Sequence, residues 1–163
     1  MEARKTTLGQ LFCDQLVYVI PVFQREYVWS REDQWEPFAE DLFGKAVQLI
    51  EAEAKQQPVA HHFFGPIVVK ALDVPVMALP RYEVVDGQQR LITCQIFLRA
   101  LSHVLRRLDL PGHDDLATLM RNAGRGPESE DRLKIQPSHR DRESFGRIMA
   151  AEADPPMQPR AAL

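Results

Sequence analysis

Tyr82-Glu83-Val84-Val85-Asp86-Gly87-Gln88-Gln89-Arg90-Leu91-Ile92-Thr93 is the stretch on which both fold and chemistry turn. Tyr82 to Val85 predicts a strand from its β-favouring side chains, and Asp86-Gly87 predicts a tight turn. From Gln88 to Leu91 onward, apolar residues recur at helical spacing. A strand that ends on a carboxylate, then a glycine, then a helix amide end carrying two glutamines and an arginine would form a concave anion site, with phosphate as a natural occupant. Residue types alone leave two readings open. In one, Asp86 orients Arg90, holds a divalent cation through water, or positions an attacking water. In the other, Asp86 caps the helix, Gly87 makes its turn, and Gln88, Gln89 and Arg90 are surface groups. The glycine-rich spacing and terminal Lys-Ser/Thr of a Walker phosphate loop are absent.

Working outward, the helix should run to about Arg107, with Leu91, Gln95, Leu98, Ser102 and Leu105 on related turns and Ile92, Ile96 and Phe97 filling the adjacent surface. Upstream, Phe63 to Lys70 predicts a strand, joined to the next by an irregular connection through Asp73, Pro75 and Pro80; Gly65 and Pro66 mark it as an edge strand or a broken one. Thr7 and Gln10 form a capping-box pair for a short helix, and Leu16 to Ile20 predicts a strand that exits at Pro21. Ser30 caps a long helix reaching about Ala54. There Trp35, Phe38, Leu42, Ala46 and Leu49, broadened by Phe43, Val47 and Ile50, predict a buried stripe, and Pro37 should bend the helix or move its start. Downstream the pattern predicts a short helix at Asp114 to Arg121, a short strand at Leu133 to Gln136, and a helix near His139 to Ala151 capped by Ser138. Residues 1–152 are then one domain. Residues 153–163, with Pro155, Pro156 and Pro159, are expected to be a tail or linker.

The 163 residues suit one modest domain, and 45% hydrophobic with 26% charged residues is ordinary globular composition. No 18-residue apolar run or leader-like start occurs, so a cytoplasmic location and no membrane partner are expected. A net charge of −3 supplies no general attraction to nucleic acid. Its distribution is uneven: residues 1–98 carry 9 Lys/Arg against 13 Asp/Glu, whereas residues 99–147 carry 10 against 8. Cys13 and Cys94 read as reduced thiols in or near the core. His61 and His62 are adjacent and would point to opposite faces of an extended segment, so they predict a hydrated pair rather than a metal site.

A second cluster, Phe23-Gln24-Arg25-Glu26-Tyr27-Val28-Trp29, falls in a predicted loop. Arg25 can make paired contacts to phosphate or carboxylate, Gln24 can read a polar edge, and Tyr27 or Trp29 can stack on a base. Alternatively Phe23, Tyr27 and Trp29 pack into the core and Arg25 joins a structural ion pair with a carboxylate such as Asp41.

Three ordered motifs carry a resemblance: Ile20-Pro21 followed by Phe23 to Trp29, then Phe63-Phe64-Gly65-Pro66-Ile67-Val68-Val69, then Asp86-Gly87-Gln88-Gln89-Arg90-Leu91-Ile92-Thr93. Together they make the chain similar to the N-terminal domain of GmrSD-type, modification-dependent restriction enzymes, whose fold resembles the ParB/sulfiredoxin group. The resemblance implies an α+β domain, a small mixed sheet packed against helices. It also implies binding of a nucleoside triphosphate, GTP or ATP, with Mg²⁺, and an expected hydrolysis, coupled to restriction of modified foreign DNA. Asp86, Gln89 and Arg90 would then be catalytic, Asp86 also holding the metal, while Gln24, Arg25, Tyr27, Trp29, Gly87 and Gln88 would bind the nucleotide. The partners so implied are the nucleotide, modified DNA, a nuclease domain or subunit outside this chain, and a second copy in a homo-oligomer. Two alternatives stand beside this: a nonhydrolytic module that binds modified DNA, and a dimerisation or scaffold domain.

Overall fold

The structure, a computed structural model, describes residues 3–59 and 61–151; the predicted tail lies outside them. In chain order the elements are α1 (Leu8–Phe12), β1 (Val17–Val19), α2 (Glu36–Lys55), β2 (Val68–Leu72), β3 (Arg81–Asp86), α3 (Gln88–Arg107), α4 (His113–Met120), β4 (Ile135–Gln136) and α5 (Arg142–Ala150). They fall into two compact units, one running up to Glu26 and again from Ile67, the other Tyr27–Pro66.

The first unit is a mixed α/β layer built on a four-stranded sheet of order β2-β3-β1-β4. β1 runs parallel to both β3 and β4, with Tyr18 opposite Tyr82 on one side and Ile135 on the other, and β2 returns antiparallel to β3. The short apolar runs become strands because both faces of the central strand are covered: Val17, Tyr18, Val84 and Ile135 are buried. The helical stripe of α3 contributes Leu91, Ile92, Cys94 and Leu98, and Phe12, Met120, Phe145 and Met149 complete the core. Thr7 and Gln10 make the capping box that the sequence predicts. The predicted Phe63 to Lys70 strand instead begins at Val68, because Gly65 sits at φ 99° and Pro66 removes an amide from the ladder.

Two buried polar side chains tie the loops of this unit. Asn122 accepts from the Leu16 amide at 3.3 Å and donates to the Leu16 and Asp131 carbonyls at 2.9 and 2.8 Å. Lys134, 1% exposed, donates to the Asp14 carbonyl at 2.6 Å, and burial holds its ammonium below the usual lysine pKa. The two thiols part company, correcting the expectation that both are in or near the core. Cys94 is buried and its pKa is pushed up to about 12, whereas Cys13, just past a five-residue helix, is exposed.

The second unit is organised by rings. Ser30 accepts from the Asp33 amide at 3.2 Å and opens a wide turn, in which the Trp35 and Glu36 amides reach back five residues to the carbonyls of Ser30 and Arg31. The regular helix starts after that turn, which puts Pro37 in the first turn of α2, where a missing amide costs no hydrogen bond. Trp29 packs against Trp35 and Phe38 with centroids 5.8 Å apart, Tyr27 stacks on Trp29 at 6.5 Å, and Phe38 meets Phe64 at 5.5 Å. The predicted buried stripe on α2 does not occur. No described side chain of α2 is buried, and Phe43, Val47, Leu49 and Ile50 are exposed. Helical periodicity reports an apolar face but not whether anything covers it, and among its described residues this unit contains one long helix and no strand.

Candidate functional site

The turn between β3 and α3 is shaped by Gly87, which adopts φ 94°, a left-handed conformation that a Cβ would strain. It lets the chain turn directly from the C-terminal end of β3 into a 20-residue helix whose first hydrogen bond runs from the Leu91 amide to the Gly87 carbonyl. The amide end of α3, with the partial positive charge of its aligned peptides, therefore sits directly after Asp86.

The Arg25 loop is fastened to this turn by three glutamines. The Gln88 side-chain amide donates to the Arg25 carbonyl at 3.0 Å and that of Gln89 to the Glu26 carbonyl at 3.0 Å. In the reverse sense, Gln24 donates through Nε2 to the Val85 carbonyl at 3.1 Å. Gln88 and Gln89 are buried, at 6% and 8% exposure, so these amides face inward and their nitrogens are committed to holding the loop. Gln88 retains one buried acceptor, Oε1, with no hydrogen-bond partner. An unmatched buried amide oxygen costs stability unless a donor reaches it.

The charged groups stay outward. Arg90 lies 3.8 Å from Asp86 across one helical turn, with about a third of its side chain exposed and nearly two-thirds of that of Asp86. Arg25 is exposed and forms no ion pair with a described carboxylate. Glu26 forms a 2.7 Å ion pair with Arg140. That contact spans 114 residues and no local pattern in the sequence announces it. The predicted residues Gln24, Arg25, Asp86, Gly87, Gln88, Gln89 and Arg90 are thus brought together in the first unit. Tyr27 and Trp29 belong to the second, where both are members of the ring cluster. Phe23, read as a core candidate, is 78% exposed.

Among the described residues no group of three His, Cys, Asp or Glu side chains could enclose a metal ion. A resident multi-carboxylate site does not fit. A Mg²⁺ carried in with phosphates does, since that ion commonly takes one or two carboxylates and fills its shell with water and phosphate oxygens. Asp86 is the carboxylate available for that purpose. The orphan Gln88 oxygen fits a ligand bearing a hydrogen-bond donor. No helix among the described residues is long and apolar enough to cross a membrane.

The family model described as GmrSD restriction endonuclease, N-terminal domain, matches residues 8–161. No curated protein matches the chain.

Proposed function

The chain belongs to the family of GmrSD restriction endonuclease N-terminal domains, and from that premise we propose that the start of α3 and the Arg25 loop bind the phosphates of a nucleoside triphosphate. Binding, followed by hydrolysis, would regulate a DNA-cleaving domain or subunit outside this chain. The observation that carries this reading is the glutamine clip. Gln24, Gln88 and Gln89 use their amides to hold two loops together, which places the Arg25 loop beside the helix start that carries Asp86 and Arg90.

The roles follow from the chemistry of each group. Gly87 lets the backbone approach closely, and the amide end of α3 favours an anion. Arg90 and Arg25 offset phosphate charge, Arg90 exchanging its long contact with Asp86 for the ligand. Asp86 positions a water whose oxygen adds to the γ-phosphorus while the bond from that phosphorus to the bridging oxygen breaks. The products are the nucleoside diphosphate and inorganic phosphate, with the water proton accepted by the Asp86 carboxylate. Mg²⁺, when bound, would neutralise phosphate charge, with Asp86 as its protein ligand. Gln88 Oε1 would accept from a ligand or water donor.

The test is phosphate release and equilibrium binding with ATP and GTP, with and without Mg²⁺, on wild type, Asp86→Ala and Arg90→Ala. Arg90→Ala should weaken binding about tenfold or more, the effect of removing a charge-assisted contact. Asp86→Ala should abolish turnover while binding persists. Unchanged affinity in Arg90→Ala would remove the phosphate role, and turnover that survives Asp86→Ala would remove the catalytic one.

A further inference from the structure

Away from the α3 start, the sheet of the first unit has an open edge that the nucleotide reading does not use. In the order β2-β3-β1-β4 the outer strands are β2 and β4. β4 is two residues long and its Ile135 is 1% exposed, which closes that side to another chain. β2 is five residues long, and its three middle residues, Val69, Lys70 and Ala71, are all exposed.

The register fixes where the main chain of β2 points. The Val17 amide donates to the Pro80 carbonyl at 2.9 Å, and β1 runs beside β3 with Val17 opposite Arg81 and Val19 opposite Glu83. In a parallel pair of that register the main-chain groups of Pro80, Tyr82 and Val84 turn to β1, so those of Arg81 and Glu83 turn to β2. Their partners there, Leu72 and Lys70, complete the antiparallel ladder. Val69 and Ala71 therefore direct both N–H and C=O away from the sheet, and none of those four groups has a partner among the described residues. Two residues of strand cover about 6.8 Å, the spacing at which an extended peptide presents its own matching groups.

We infer that this edge takes an extended, acidic segment of another protein as a fifth strand of the sheet. Main-chain pairing sets the conformation of the occupant, and charge sets its composition. Lys70 is the middle residue of β2 and forms no ion pair with a described carboxylate, although Glu83 stands across the ladder from it. An acidic residue directly opposite Lys70 on the incoming strand is favourable, and a basic one is not. Val69, 38% exposed, and Ala71 lie on the other face of the strand, so the alternate residues of the segment are apolar. The same lysine argues against a second copy of this chain. Two copies of β2 overlap fully, with their outward groups matched, only when Val69 of one faces Ala71 of the other, and Lys70 then faces Lys70. Val69, Lys70 and Ala71 are not among the groups assigned to the nucleotide, so the two proposals fail independently.

The experiment is amide exchange and peptide titration on the isotope-labelled full chain. The probe is a capped heptapeptide of alternating valine and glutamate, and its counterpart with lysine for glutamate is the control. In the free chain the Val69 and Ala71 amides should exchange about tenfold or more faster than those of Lys70 and Leu72, which bond β3. The glutamate peptide should protect Val69 and Ala71 and bind about fivefold or more tighter than the lysine peptide. Ala71→Pro deletes one outward N–H and leaves the β3 ladder whole, since proline is accepted on an edge strand where its missing amide faces outward. It should weaken the glutamate peptide about fivefold or more, with nucleotide affinity unchanged. Lys70→Glu keeps every main-chain group and should reverse the preference between the two peptides, which reads the edge even if the proline variant does not fold. Slow exchange at Val69 and Ala71 in the free chain, no protection by the glutamate peptide, affinity unchanged in folded Ala71→Pro, a glutamate preference that survives Lys70→Glu, or a dimer of the chain alone that protects the same two amides would each overturn the proposal.

Discussion

Replacing Gln88 and Gln89 together by methionine keeps side-chain length and burial while deleting both amide donors to the Arg25 loop. Each lost donor removes a hydrogen bond of 3.0 Å to a backbone carbonyl, and such bonds are worth about 0.5–1.5 kcal/mol apiece, so the closed loop should lose about 1–3 kcal/mol. That corresponds to about a 5- to 150-fold rise in its opening equilibrium. The Gln24 contact to Val85 and the Glu26–Arg140 pair remain, and exposed ion pairs contribute little, so local opening rather than global unfolding should result. Amide exchange read at Gln24, whose N–H bonds the Pro21 carbonyl at 3.1 Å, should accelerate by that factor while core amides of α3 do not change. Nucleotide affinity should fall by up to the same factor, because only the closed fraction presents Arg25 beside the helix start. Faster exchange with unaltered nucleotide affinity would refute the link between the clip and the site. Unaltered exchange would refute the clip itself.

Two further outcomes test the scaffold. Asn122→Leu strands the Leu16 amide, the Leu16 carbonyl and the Asp131 carbonyl in a buried setting, and should cost about 3 kcal/mol or more in urea unfolding; a loss under about 1 kcal/mol would mean that water replaces all three bonds. Tyr18 is buried and donates to the Leu11 carbonyl at 3.0 Å, and burial raises its pKa from 10.0 to about 12, with the neighbouring Tyr82 adding to the rise. Between those values the folded state holds a proton that the unfolded state has released, so stability present below pH 10 should fall by about 2–3 kcal/mol on approaching pH 12. In Tyr18→Phe that component of the alkaline slope should vanish, and an identical slope in the variant would show that Tyr18 is not its source.

Where local pattern and local structure share a cause, the sequence was enough. Thr7 and Gln10 satisfy each other's backbone three residues apart, and Asp86-Gly87 makes its turn from its own dihedral freedom. The sheet-to-helix junction was legible for the same reason. The burial of α2 was not, because amphipathic spacing is a property of the helix and coverage is a property of its surroundings. Asn122 and Lys134 escaped notice because their partners, Leu16 and Asp14, lie 106 and 120 residues away, and an isolated Asn or Lys in a turn or short strand looks like a solvated group. The direction of the glutamines was equally hidden. A side-chain amide both donates and accepts, so Gln88-Gln89 at a helix start suits either a ligand or the protein's own carbonyls.

That ambiguity resolves into a division of labour within single side chains. Gln88 spends its nitrogen on the Arg25 carbonyl, yet its oxygen is buried and unmatched. Under the proposed function a ligand or water donor would give that oxygen its second bond, so ligand binding and loop closure would each strengthen the other through one planar amide. The capping reading fails at Asp86, which makes no capping hydrogen bond, and at Gln88 and Gln89, which are buried rather than surface groups; only the turn at Gly87 stands. Gly87 and the glutamine nitrogens build the turn, and under the proposed function Asp86, Arg90 and the Gln88 oxygen would meet the ligand.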